Sequence, residues 1–338
     1  MSLLTHISKL FSKKQPAQVI GIALQQQVIS LCSIPQSQNQ SQSQSEAQTP
    51  EQNNTVLFDE GKVANSDFIL AIEQLDNKHN LAGQAHLVLN ASQTQIVQVD
   101  KPSVPDSEIC AALKWQIKDL VSVSPENMVL DYFDGPVLSG GVEKINVVCA
   151  AVPELKKLVA TINDGDMSLI SITTPEFAFA NLVAKQNDAC LLVCQQPHEE
   201  ILILIVKQGQ LFFHRRLRGF AQLANNTEEE LAGHIIDNLS LEIQRSTDYF
   251  ERQLKQAPIK ELKVLVPIKL EAFFARKLAE NTNVPVTLLA LPKPYHEQRE
   301  YAAALGAAFR SIVDNTAAVE LEKATISEPQ AHKLEGGV

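Results

Sequence analysis

The run Ala189–Gly219, ACLLVCQQPHEEILILIVKQGQLFFHRRLRG, carries the pattern from which the fold can be read. Ala189–Cys194 and Ile201–Lys207 are short, unbroken apolar runs of strand length, as expected of strands covered on both faces. Gln210–His214 follows directly after Gln208-Gly209, where glycine's tolerance of positive φ suits a hairpin turn. The three strands read as a meander. The period then lengthens. Thr227–Leu254 reads as one long helix opened by a capping box, Thr227 to Glu230, in which each residue's side chain serves the other's backbone N–H. Strand Leu262–Val266, helix Leu270–Asn281, strand Val286–Leu289 and an Ala-rich helix, Glu300–Ser311, complete the half.

The first half follows the same plan. Gln18–Leu24, Gln27–Ser33 and the run TVLFDE (Thr55–Glu60) read as strands, Ser66–Asn77 as a helix and His86–Asn90 as a strand. Additional elements then intervene: strand Gln95–Val99, helix Pro105–Leu120, a strand pair Met128–Phe133 and Lys144–Ala151 around a Gly-rich turn, and helix Glu154–Asn163 behind Pro153. Proline is favoured at such a first helical turn because the N–H it lacks would have no partner there. Two halves that each open with a meander and continue with alternating helix and strand imply a duplicated α/β architecture.

Composition sets the outer limits. The chain has 338 residues, 45% apolar and 20% charged, enough for about two ordinary globular domains. Lys plus Arg number 29 against 39 Asp plus Glu, a net charge of −10, which argues against nucleic acid as a partner because phosphate contacts need a basic surface. The five cysteines, Cys32, Cys110, Cys149, Cys190 and Cys194, are odd in number and sit mostly inside apolar runs, the usage of reduced, buried thiols in a cytoplasmic protein. Cys190, Cys194 and His198 lack a fourth ligand and make a poor zinc set. No apolar run approaches the roughly 20 residues that span a bilayer, and the N-terminus lacks the apolar centre and small-residue cleavage site of a signal peptide.

Residues 1–17 contain a short amphipathic helix, with Leu3, Leu4, Ile7, Leu10 and Phe11 on one face and Lys9, Lys13 and Lys14 on or beside the other. Such a segment rests on an anionic membrane surface through residues 3–14 or packs on its own domain, and periodicity does not separate the two. Residues 35–54 are almost wholly Gln, Ser and Asn. They bury too little to offset their ordering entropy and read as a flexible surface insertion, favoured over a prion-like tract. The tail, 313–338, is polar and acidic.

Several runs together resemble one family. They are EIQRSTDYFERQL (Glu242–Leu254), INVVCAAVPELKKLVATI (Ile145–Ile162), SLISITTPEFAFANLV (Ser168–Val183), GQLFFHRRLRG (Gly209–Gly219) and AAALGAAFR (Ala302–Arg310). In order and spacing they are similar to the PilM family of actin-like type IV pilus assembly proteins, over about residues 18–312, with members of the MSHA pilus system nearest. The resemblance implies an actin-like (ribonuclease H-like, duplicated) fold. Residues 18–185 would be domain I, with a small subdomain of the 1C type shared with FtsA at about 98–165. Residues 186–299 would be domain II, and 300–312 a helix returning to domain I. It also implies a cytoplasmic protein peripheral to the inner membrane. Its partner would be the cytoplasmic tail of a PilN-like inner-membrane protein, held in a groove beside the extra subdomain, with other pilus platform proteins and the pilus ATPase as further partners. The lone tryptophan, Trp115, lies on the helix of that subdomain. It is the candidate partner-binding residue, although a core role weighs more, since a lone tryptophan usually packs.

Relatives of this family hold ATP between two hairpin turns, using Asp for the metal's water shell and Gly where backbone approaches phosphate. In GIALQQQVIS (Gly21–Ser30) the aligned positions are Ala23 and Gln25, and in LLVCQQPHEE (Leu191–Glu200) they are Cys194 and Gln196. His198, Glu199 and Glu200 add acid beside the phosphate position, and Pro267 and Ile268 replace the glycines that would cradle adenosine. The expectation is a pseudo-ATPase with no cofactor, no metal and no catalytic residue. An active ATPase of the same fold and a GspL-like component of type II secretion stay open as alternatives. No Walker A, G-x-G-x-x-G, H-E-x-x-H or G-x-S-x-G element occurs. The cluster His214, Arg215, Arg216 and Arg218 reads as a solvated strand end, with an anionic partner as the lesser alternative.

Overall fold

The computed structural model describes residues 18–35, 56–135 and 143–309. The N-terminal amphipathic segment, the Gln/Ser-rich stretch from 36 and the acidic tail lie outside them. Among the described residues no helix is long and apolar enough to cross a membrane.

In the first lobe β1 (Gln18–Leu24) pairs antiparallel with β2 (Val28–Pro35), which pairs antiparallel with β3 (Leu57–Lys62). Helix α1 (Phe68–His79) is capped by Asp67, whose carboxylate accepts the Leu70 N–H at 3.0 Å, and leads to β4 (Ala82–Val88), parallel to β1. An extra unit follows: β5 (Thr94–Asp100), α2 (Asp106–Gln116), β6 (Met128–Asp134) and β7 (Lys144–Ala151). These strands form their own antiparallel sheet in the order β5-β7-β6, with Ile109, Leu113 and Ile117 packed against Met128, Ile145 and Val147. Helix α3 (Val152–Asp164), strand β8 (Asp166–Thr173) and helix α4 (Pro175–Ala180) then return to the first lobe, where β8 runs parallel to β4.

The second lobe repeats the pattern. β9 (Cys190–Cys194), β10 (Ile201–Lys207) and β11 (Gln210–Leu217) make the meander, turning at Gln208 (φ 53°) and Gly209 (φ 76°). Helix α5 (Ile236–Asp248), β12 (Glu261–Leu265), α6 (Glu271–Glu280) and β13 (Val286–Leu288) follow, with β12 parallel to both β9 and β13. The two five-stranded sheets have the same order, β3-β2-β1-β4-β8 and β11-β10-β9-β12-β13, and the same strand directions. The duplication legible in the sequence is therefore a duplication of topology.

The closing helix, α7 (residues 302–309), lies in the core shared by the lobes, which joins Val19, Ala23 and Cys32 to Leu192, Cys194 and Leu204. Its small residues have a geometric cause. A Cβ on Gly21 would stand 2.0 Å from the Ala304 carbonyl oxygen, and one on Gly306 would stand 2.0 Å from that of Ala178. Backbone meets backbone on both sides, so only glycine fits.

Three expectations need correction. The extra sheet spans Thr94–Ala151 and not 98–165, because Leu158 and Ile162 of α3 bury among Ile72, Leu75 and Leu87 of the first lobe. Strand β8 and helix α4 were not foreseen as elements: in DMSLISIT Asp166, Ser168 and Ser171 break up the apolar residues, since β8 is an edge strand with one side in solvent. The helix expected over Thr227–Leu254 has its capping box but is interrupted. Gly233 takes φ −84°, ψ −133°, and π-helical turns occupy Leu231–Ile235 and Tyr249–Gln253. Glycine has the least resistance to leaving the helix, and π turns are how a helix absorbs a surplus residue.

Candidate functional site

The two hairpin turns that would face a nucleotide stand opposite one another. Ala23 is fully buried in β1, and Gln25 is buried at its end, its Nε2 donating to Ser30 Oγ at 2.7 Å and its N–H to the Val28 carbonyl at 2.9 Å. On the other side Cys194 ends β9, and burial, with the Glu176 charge adding to it, pushes its thiol well above the ordinary range. Gln196 is buried as well, and its carbonyl accepts the Glu199 N–H at 3.1 Å.

Between the turns lies the Glu199 side chain. Its Oε1 accepts the Gln26 backbone N–H at 2.8 Å and the Asn90 Nδ2–H at 3.1 Å, both from the first lobe. The turn that presents it is held by Gln195, whose Nε2 donates to the Glu199 carbonyl at 2.6 Å and the Phe220 carbonyl at 2.8 Å. His198 takes left-handed φ, 61°. Burial raises the Glu199 carboxyl above its ordinary range, against the N–H donors and the Arg216 charge, which lower it. The neighbouring Glu200 accepts the N–H groups of Gly219 and Phe220 at 3.0 and 2.8 Å. The space left beside Gln196, Glu199 and Arg216 is about 10 Å³, about the room of one water. The residues at these turns fit a magnesium nucleotide poorly: the Gln26 N–H is engaged by the chain's own Glu199 carboxylate, the Gln25 and Glu199 N–H groups bond to carbonyls of their own turns, and Ala23 and Cys194 offer no carboxylate for a metal's water shell. Cys32 and Cys190 are buried, with their thiols pushed up to about 12 chiefly by desolvation, and Cys110 alone is exposed. Among the described residues no three His, Cys, Asp or Glu side chains gather as a metal set.

A second concavity is open. Between the extra sheet and the first lobe runs a groove of about 410 Å³, within the range of ligand-binding clefts. Five consecutive residues of β6, Val129–Phe133, line one wall, and Leu89, Ile172, Thr173 and Phe177 line the other, with Val148 and Ala150 at the base. Among the described residues both β6 and β8 are edge strands, so each has a backbone edge that no described strand pairs. Apolar side chains stand exposed along them: Val129 at 42%, Ile170 at 52% and Ile172 at 37%. Phe133 packs edge-on against Phe177 with ring centroids 4.9 Å apart and closes one end. Among the described residues Asp131 is the only charged one in the lining.

Trp115 is not part of this groove. It is 67% exposed on α2, overturning the core reading. The buried stripe of α2 is Ile109, Leu113 and Ile117, and Trp115, two residues from Leu113, points about 200° round the helix from it. Trp115→Ala should therefore change stability by less than about 0.5 kcal/mol, as surface substitutions do. A thermal melt checks this, and a large drop in Tm would show a packing role. The basic cluster is also corrected. β11 continues to Leu217, Arg215 pairs with Glu242 at 3.0 Å, and Arg216 pairs with the buried Glu176 at 2.7 Å. Burial holds His214 below its ordinary range. Arg216 thus ties the second lobe to the first and Arg215 ties β11 to α5 within its own lobe, while Arg218 remains exposed past the strand end.

No protein-family model matches the chain, and no curated protein does. Solved structures do. A PilM–PilN type IV pilus biogenesis complex is 13% identical with a TM-score of 0.61, the match covering 88% of this chain and 99% of that one. The cytoplasmic domain of EpsL, an inner membrane component of the type II secretion system of Vibrio cholerae, is 14% identical with a TM-score of 0.46 over 86% and 95%. A Bacteroides thetaiotaomicron protein of actin-like ATPase fold and unknown function is 11% identical with a TM-score of 0.48 over 86% and 96%. At such identities the likeness is one of fold, and the fold is actin-like.

Proposed function

We propose that this chain is a non-catalytic scaffold of a type IV pilus assembly platform of the MSHA kind. It would stand at the cytoplasmic face of the inner membrane and hold the cytoplasmic tail of a PilN-like membrane protein in the groove between β6 and β8. The observation that carries the reading is the groove itself: two strand edges that no strand among the described residues pairs, bordering one apolar cleft of about 410 Å³. Exposed edges invite strand addition, and natural proteins normally blunt them. An extended tail satisfies such an edge with its backbone and places alternate side chains in the cleft. Asp131 favours a tail that carries a cation opposite β6. The MSHA assignment and the further platform partners, the pilus ATPase among them, rest on sequence resemblance. The absence of catalysis is supported by Glu199, whose carboxylate engages the Gln26 N–H, and by Ala23 and Cys194, which offer a metal's water shell no carboxylate.

Thermal unfolding of the full chain with each ligand tests this. The tail peptide at 100 times its Kd should stabilise the protein by about 2.7 kcal/mol and raise Tm by several degrees. ATP with magnesium should leave Tm unchanged and show no hydrolysis above background. A saturable shift with ATP would restore the active-ATPase alternative, and a peptide without effect at high micromolar concentration would remove the scaffold reading.

A further inference from the structure

We infer that Glu199 is a built-in latch that holds the interlobe cleft shut from within the chain. The inference goes beyond the proposed function and stands whether or not the groove takes a tail.

Glu199 belongs to the turn between β9 and β10, in the second lobe. Both groups that its Oε1 accepts from belong to the first: the Gln26 N–H, from the turn between β1 and β2, at 2.8 Å, and Asn90 Nδ2, just beyond β4, at 3.1 Å. Glu199 is only 8% exposed, Gln26 is an exposed residue at the rim of the cleft and the bond between them is part-buried; a carboxylate acceptor makes both bonds charge-assisted. The carboxylate does not choose this place freely. The left-handed φ of His198 and the two bonds from Gln195 Nε2 fix the turn that aims it. If the lobes moved apart, Gln26 would lose this acceptor and Glu199 both of these donors, and water would have to replace them. A second contact across the same cleft, Arg216 to Glu176 at 2.7 Å, flanks the latch without touching the Gln26 turn. A freely dissociating ligand lets a cleft open whenever it leaves. A tethered carboxylate does not leave, so the two lobes behave as one body.

The test is amide hydrogen exchange on the full-length protein, comparing wild type with Glu199→Ala and Glu199→Gln. Exchange at Gln26 should accelerate by about tenfold or more in Glu199→Ala, the factor that corresponds to roughly 1.4 kcal/mol. Glu199→Gln, which keeps the size and an oxygen acceptor but loses the charge, should fall between. It also keeps the test decisive if the alanine variant does not fold. The acceleration should be confined to the turn between β1 and β2 and the residues around Asn90. Equal exchange at Gln26 in wild type and Glu199→Gln would overturn the latch. So would an acceleration spread evenly over both sheets, which would make Glu199 a general contributor to stability.

Discussion

Val129→Asp should abolish binding of the tail peptide while the protein stays folded. Val129 lies on the outer strand of the extra sheet, 42% exposed, within the groove lining. Its exposure makes the change tolerable to the fold, since surface substitutions usually shift stability by about half a kcal/mol or less. Its position makes the change intolerable to the ligand. An extended apolar tail would bury the new carboxylate beside Asp131 with no cation to match both, and an unpaired charge taken out of water is costly. Loss of a central apolar wall residue alone costs about 2 kcal/mol or more of binding, so a weakening of roughly 30-fold is the least expected. Calorimetric titration checks this against circular dichroism of the same sample. Undiminished affinity would place the tail elsewhere.

Gly306→Val should leave no foldable protein at ordinary temperature. The added Cβ would lie 2.0 Å from the Ala178 carbonyl oxygen and 2.8 Å from its carbon, both backbone atoms of α4 that cannot rotate away. Relief requires α7 to move off α4, and α7 carries Ala303, Ala304, Leu305, Ala307 and Ala308 into the core shared by both lobes. The Asn181 Nδ2 bond to the Gly306 carbonyl, 3.0 Å, would go with it. Overpacking inside a core typically costs 1–3 kcal/mol where side chains can adjust. Here only backbone is available to give, so the loss should exceed about 4 kcal/mol, a large part of a typical domain's stability. Gly21→Val should behave alike, its Cβ meeting Ala304 from the opposite side. Chemical denaturation of either variant with the wild-type midpoint would show that the closing helix is not wedged as described.

The duplication was legible because it is written in period and burial. In β9 and β10 every residue but Lys207 is buried, and runs such as CLLVC and ILILIV admit little else. The same holds for β1, whose burial leaves only Gln18 partly open. Harder to read were the elements whose character depends on neighbours distant in the chain. β8 alternates polar and apolar because it is an edge, and its meaning as a groove wall appears only once β6 stands across from it. Trp115 was weighed by residue type, whereas the stripe formed by Ile109, Leu113 and Ile117 would have placed it outside. At the hairpin turns, the residues absent from the phosphate positions were visible in the sequence. That Glu199 reaches over to Gln26, 173 positions away, was not, because no local pattern marks a contact between lobes. The acids at Glu199 and Glu200 were nevertheless the signal: two adjacent carboxylates in a turn need donors, and here they take backbone N–H groups from elsewhere in the chain.

The account turns on where a tail would lie, and amide hydrogen exchange of the full-length protein, with and without saturating tail peptide, measures that most directly. The cytoplasmic tail of a PilN-like membrane protein supplies the peptide. The prediction is slowed exchange confined to Met128–Asp134 and Asp166–Thr173, the two edge strands that border the groove, as their free N–H groups gain partners from the added strand. Unchanged exchange in both strands while the peptide is bound, or protection appearing instead around Trp115, would contradict it.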